Sequence, residues 1–106
     1  MITTPGSSVA GYRVTETLGL VYGNTIRARH VGKDILASLK LLVGGEIEEY
    51  TKMMAESREQ AMDRMREDAS QKGANAIVDV RFSTSYIMGG AAEILAYGNA
   101  VKIEPA

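Results

Sequence analysis

The run Ala74-Asn-Ala-Ile-Val-Asp-Val-Arg-Phe-Ser-Thr-Ser-Tyr-Ile-Met-Gly-Gly-Ala-Ala-Glu-Ile-Leu-Ala-Tyr-Gly-Asn-Ala-Val-Lys-Ile103 reads as a β-hairpin. Over residues 74–88, Ala76, Val78, Val80, Phe82, Tyr86 and Met88 alternate with Asp79, Arg81, Ser83 and Ser85. That is the period of two of a strand with one buried face. Met88-Gly89-Gly90 supplies the turn. Over 92–103, Leu95, Tyr97, Val101 and Ile103 share one face, and Ile94, Ala96, Gly98 and Ala100 share the other. Two alternating runs joined by a short glycine loop are the local signature of antiparallel pairing.

Upstream of the hairpin the period changes. From about Glu46 to Lys72, the residues Ile47, Tyr50, Met54, Ala61, Met65 and Ala69 recur at helical spacing, and Gly73 marks a left-handed stop. Glu46, Glu48 and Glu49 crowd the amino end, where carboxylates offset the helix dipole. Glu48–Lys52, Arg64–Asp68 and Asp68–Lys72 are expected i,i+4 pairs. A shorter helix is expected over 33–43, with Ile35, Leu36, Leu39, Leu42 and Val43 on one stripe and Gly44-Gly45 ending it. Residues 12–22 read as a further strand. Tyr12, Val14, Leu18, Leu20 and Tyr22 are expected on its buried face, Gly23-Asn24 as a turn, and residues 1–8 as a leading arm. A helix of about 27 residues and a strand of about 12 are both roughly 40 Å long, so helix and sheet match in length. The order β-α-α-β-β predicts an α+β two-layer sandwich with a mainly antiparallel sheet, as one domain over 1–106.

Composition narrows the function. Twelve Lys+Arg oppose 13 Asp+Glu in 106 residues, for a net charge of −1. So neutral a chain lacks the broad positive field used to bind nucleic acid or anionic membranes. No cysteine is present, which excludes disulfides, thiolate zinc sites and a cysteine nucleophile. No signal peptide or membrane span is visible, so a cytoplasmic address is expected. With one histidine, His30, no nucleophile–base pair can be assembled, and the chain is expected not to be an enzyme.

The second sheet face is expected to carry Arg13, Thr15, Thr17, Asp79, Arg81, Ser83, Ala96, Gly98, Ala100 and Lys102. The small residues of the last strand invite close approach by another chain, and a three-stranded sheet leaves two edges to cover. Self-association through those edges or this face follows as an expectation, with Arg13, Asp79, Arg81, Ala96, Gly98 and Ala100 meeting neighbours or lining an inner cavity. Arg81, Arg13 and Lys102 could also gather at the axis of a ring and hold an anion. Candidate metal ligands are weak. His30, Glu46 and Glu49 could meet at a subunit junction, but an acidic first turn is ordinary helix chemistry. Met53, Met54, Met62 and Met65 read first as packing, because methionine fills irregular gaps.

Several segments together resemble a known family. Leu18-Gly-Leu-Val-Tyr-Gly-Asn24, Gly32-Lys-Asp-Ile35, Val43-Gly-Gly-Glu46 with Tyr50, Gly73-Ala-Asn-Ala76, Val80-Arg-Phe82 and Ala92-Glu-Ile-Leu-Ala-Tyr-Gly98 are similar to the YbjQ-like proteins. These are uncharacterised bacterial and archaeal proteins that carry a heavy-metal-binding label. Asn99 stands where threonine is expected and His30 where asparagine is usual. The resemblance covers nearly the whole chain. It implies a dodecin-like α+β subunit and a ring-shaped homo-oligomer, a pentamer, with no established activity. A homo-oligomeric scaffold or binding module with no cofactor is therefore the leading expectation. A metal-binding protein with junctional sites is the alternative, and an enzyme with an intersubunit pocket ranks last.

Overall fold

The computed structural model describes residues 1–28, 48–87 and 91–106. The elements are β1 (Ile2–Thr3), β2 (Tyr12–Ala28), α1 (Glu48–Gln71), β3 (Ala76–Ile87) and β4 (Ala91–Pro105). The strands form one sheet in the order β1-β3-β4-β2. β3 and β4 are the expected antiparallel pair, and β2 runs antiparallel on the other side of β4. β1 pairs parallel with Ala76–Ile77, so the leading arm adds a short fourth strand and makes the sheet mixed. Among the described residues one helix lies on this sheet, giving the α+β sandwich. The expected helix over 33–43, the Gly44-Gly45 corner and the turn at 88–90 lie outside the described residues.

The helix ends where glycine permits. Gly73 has φ of 83°, its N–H donates to the Ser70 carbonyl at 3.0 Å, and the Ala74 N–H reaches the Ala69 carbonyl at 3.0 Å. That is the paired closure of a Schellman end. Ala61, Met65 and Ala69 are fully buried as expected, against Val21, Ile77, Val80, Ile94, Ala96 and Ala100. Met54 and Met62 pack against the same cluster, so these thioethers serve as filling. Of the expected pairs on the described face, Asp68–Lys72 forms at 3.3 Å, while Arg64 turns away to the Asn24 carbonyl.

Along β2 and β4 the sheet faces are reversed from the sequence expectation, although Leu18 packs against the helix-side core as expected. Val21 and Thr25 are buried under α1, whereas Leu20, Tyr22 and Ile26 are exposed on the far face. Antiparallel partners share a face, so Val21, Gly23 and Thr25 stand with Gly98, Ala96 and Ile94 beneath the helix. The cause is the closeness of the helix backbone. A Cβ on Gly23 would lie 2.4 Å from both the Ala61 carbonyl oxygen and the Met65 nitrogen. Small residues at Gly23 and Ala96 admit α1 at that distance, while the space beside Gly98 is taken by Ile77, Val78 and Val80 of β3, so Ala96, Gly98 and Ala100 serve the chain's own packing. For the same reason Gly23-Asn24, expected as a turn, lies inside β2 opposite Ala96 and Leu95.

A second departure sits at Asp79. Its φ is 54°, a left-handed value that aspartate tolerates better than most residues, and the β3–β4 register shifts between Val78 and Arg81. Before this bulge, Ala76 and Val78 turn away from the helix and join Val101 and Ile103 in a small second core capped by Val9. Beyond it, Val80 packs on the helix side. The arm that carries Val9 is tied along β3: the Thr4 N–H donates to the Ile77 carbonyl at 3.0 Å, the Val80 N–H to the Thr4 carbonyl at 3.0 Å, and the Asp79 N–H to the Gly6 carbonyl at 2.9 Å.

Candidate functional site

Reversal of the faces leaves the apolar residues of β2 facing solvent. Leu20, Tyr22 and Ile26 are 59%, 57% and 60% exposed on one strand. Tyr22 stands opposite Tyr97, Asn24 opposite Leu95 and Ile26 opposite Glu93. Leu20, Tyr22, Asn24, Glu93, Leu95 and Tyr97 line an open groove of about 400 Å³ on this far face. Its polar end is set by the Asn24 amide, which donates to the Glu93 carboxylate at 3.3 Å. Side-chain exposure on the order of 300 Å² from three residues of one strand is the scale at which an apolar patch marks an interaction surface. On the helix side, Phe82 and Tyr86 of β3 are exposed as well.

The residues beneath this face are held firmly. The Thr25 hydroxyl donates to the Ser57 carbonyl at 3.1 Å, and the Ser57 hydroxyl donates to the Met53 carbonyl at 2.8 Å. Arg27 donates to the Ser57 hydroxyl at 3.1 Å and to the Gln60 amide oxygen at 2.7 Å. These contacts pin one end of β2 to α1. Thr25 and Ser57 are both buried, so their polar groups need such partners.

The expected site residues do not converge. Arg13 pairs with Glu104, and Lys102 pairs with Glu16 at 3.4 Å. Arg81 donates to the Pro5 carbonyl at 2.7 Å, which secures the leading arm. Asp79 accepts from the Ser7 hydroxyl at 2.9 Å and from the Asn99 amide at 3.3 Å. Within one chain, then, Arg13, Arg81 and Lys102 have separate partners rather than forming one anion site. Ala96 and Ala100 are fully buried in the core and present nothing to a neighbour. His30 and Glu46 lie outside the described residues. Glu49 falls in the first turn of α1, with its side chain outside what the structure describes.

Among the described residues no group of three or more His, Cys, Asp or Glu side chains gathers. Met65 is fully buried, and Met54 and Met62 pack on the core. That donor set does not fit a soft-metal centre, which needs converging thiolates, thioethers or imidazoles. No helix among the described residues is long and apolar enough to cross a membrane. The exposed ridge on β2 escaped sequence reasoning because its alternation looks like a core face. The glycine and alanine of the partner strand were the signal that the helix lay on the other side.

Comparison with known proteins agrees with this architecture. A family model described as "Putative heavy-metal-binding" matches residues 1–104. A UPF0145 protein of Dehalococcoides mccartyi is 60% identical over 104 residues, covering 98% of this chain and 100% of its own length. Another from Methanosarcina acetivorans is 56% identical over 103 residues, covering 97% of each chain. A third from Thermus thermophilus is 56% identical over 99 residues, covering 93% of this chain and 87% of its own. Among solved structures, a DUF74-family protein of unknown function from Pediococcus pentosaceus superposes with a TM-score of 0.69 at 16% identity, covering 98% of each chain. That likeness shows the fold. The match of sequence along nearly the full length shows more: the chain belongs to the YbjQ family, whose relatives here are the uncharacterised UPF0145 proteins.

Proposed function

We propose that the chain is a self-assembling scaffold or binding module of the cytoplasm, built as a ring of five copies and without catalytic chemistry of its own. The observation that carries the reading is the far-face ridge of Leu20, Tyr22 and Ile26, with Leu95 and Tyr97 beside it. A second copy of the chain would remove this apolar surface from water, each square ångström contributing about 25 cal/mol. Burial beneath a neighbour also accounts for two leucines, an isoleucine and two tyrosines on a face that the described residues leave uncovered. The heavy-metal label of the family finds no support in the donor chemistry described above, so metal is not part of the proposal.

Native mass spectrometry at micromolar concentration is the test. The expected result is a single species of five times the subunit mass. A clean monomer under those conditions, with Leu20→Ser and Ile26→Ser leaving solution behaviour unchanged, would refute self-assembly.

A further inference from the structure

β2 is the last strand of the sheet, so the outer side of its backbone has no strand partner among the described residues. Three charged side chains of α1 occupy part of it instead. Arg64 donates to the Asn24 carbonyl at 2.6 Å. The Tyr22 N–H donates to the Asp68 carboxylate at 3.3 Å. Lys72 donates to the Leu20 carbonyl at 3.3 Å and also to Asp68 at 3.3 Å. Carbonyl, amide and carbonyl at every second residue of β2 thus meet cation, anion and cation at every fourth residue of α1.

The match has a simple geometric basis. Two residues of strand advance about 6.8 Å, and four residues of helix advance about 6.0 Å. Over the two intervals the mismatch is about 1.6 Å, which the long side chains of arginine and lysine absorb. The order runs backward along the helix as it runs forward along the strand, so one straight row of side chains serves a straight row of backbone groups. In type and spacing these are the partners that a neighbouring antiparallel strand would supply.

We infer that Arg64, Asp68 and Lys72 form an edge guard that takes the place of a strand along residues 20–24 of β2 and blocks open-ended growth of the sheet by second copies of the chain. An unguarded edge is a template for strand addition, and charged side chains are a recurrent means of blunting one. The guard confines self-association to contacts made through faces. The inference goes beyond the ring proposed above and does not depend on it: the intact chain's mass tests the ring, and growth of a guardless chain tests the guard.

The experiment compares the parent with the triple variant Arg64→Ala, Asp68→Ala, Lys72→Ala. Circular dichroism and the protection of β4 amides at Ile94 and Ala96 establish that the variant is folded. Hydrogen exchange at the Tyr22 amide and light scattering over time are the readouts. In freshly dissolved variant the Tyr22 amide should exchange about tenfold faster, because it has lost its acceptor. Scattering should then rise with concentration and time, while the parent stays constant. Adding Tyr22→Pro, which removes the outward N–H of an edge position, should stop the growth. Unchanged exchange at Tyr22, a variant mass equal to the parent's over days, or growth that persists with Tyr22→Pro would each overturn the inference. If the triple variant does not fold, Asp68→Ala alone serves with the same readouts, since it removes the acceptor of the Tyr22 N–H and leaves both flanking cations in place.

Discussion

Substituting Gly23 by alanine places one methyl group where the structure has none to spare. The new Cβ would lie 2.4 Å from the Ala61 carbonyl oxygen, 2.4 Å from the Met65 nitrogen and 2.7 Å from the Arg64 Cβ. All three belong to the helix backbone or its first side-chain carbon, so no rotamer change relieves them. Ordinary contact begins near 3.4 Å, hence α1 must retreat by about 1 Å. A gap of that size forfeits a quarter to a half of the dispersion energy across an interface. The side chains at stake are Val21, Ala61, Met65 and Ala69, all fully buried. Their burial contributes on the order of 6 kcal/mol, so the retreat costs about 1.5–3 kcal/mol. Alanine's smaller loss of backbone entropy returns about 0.5–1 kcal/mol, while residual strain adds a cost of similar size. The last two terms cancel, so the expected net is a loss of about 1.5–3 kcal/mol, or about 6–20 °C in Tm for a domain of this size. Urea denaturation at fixed protein concentration measures it, with Gly6→Ala as the control. A Cβ at Gly6 meets only ordinary contacts at 3.5 and 3.6 Å. A Gly23→Ala protein within about 0.5 kcal/mol of the parent would refute the claim that helix and sheet backbones touch there.

Four further outcomes are expected. Thr25→Val removes the buried hydroxyl that meets the Ser57 carbonyl at 3.1 Å, and should cost about 1 kcal/mol by denaturation. Asn75→Ala removes a two-way clasp, in which the side chain donates to the Ile103 carbonyl at 2.9 Å and accepts from its N–H at 2.8 Å; a loss of about 1–2 kcal/mol is expected. Leu20→Ser with Ile26→Ser should leave the subunit's stability within about 0.5 kcal/mol under dissociating conditions, while native mass spectra shift toward smaller species. Calorimetric titration with Cu(I), Zn²⁺ and Ni²⁺ should show no stoichiometric site of sub-micromolar affinity, because Met54, Met62 and Met65 pack into the core and no acidic or imidazole cluster gathers among the described residues.

Period and punctuation made the elements readable. The 3.6-residue stripe through Ala61, Met65 and Ala69 and the stop at Gly73 located α1, and alternation located β3 and β4. Which side of the sheet the helix covers was not readable from alternation alone. On β2, hydrophobicity peaks on the face that the described residues leave bare, because the face under α1 must leave room for the helix backbone at Gly23. Continuous alternation also misled along β3, since the residue at 79 resets the pattern without any change in composition. The short pairing of Ile2–Thr3 with β3 left no trace in periodicity, as two residues are too few to show one. The row from Arg64 to Lys72 was visible as i,i+4 charges, but its partners on β2 are 40 to 52 residues away, and only the fold brings them together.

The additional residue at position 79 makes β3 a strand turned inside out partway along its length. Upstream, its inward side chains are sealed by Val9; downstream, Val80 looks toward α1. Without that single unit Val78 would be followed directly by Val80, and both would keep the sides they now occupy, as would every residue before and after them. What the shortened chain would lose is the fastening of its first residues, since position 79 offers its N–H to the Gly6 carbonyl and its carboxylate to Ser7. Deleting residue 79 should therefore leave the sheet's two sides as they are and loosen the segment from Thr4 to Ser8. The bulge is a mooring for the amino terminus rather than a spacer in the sheet.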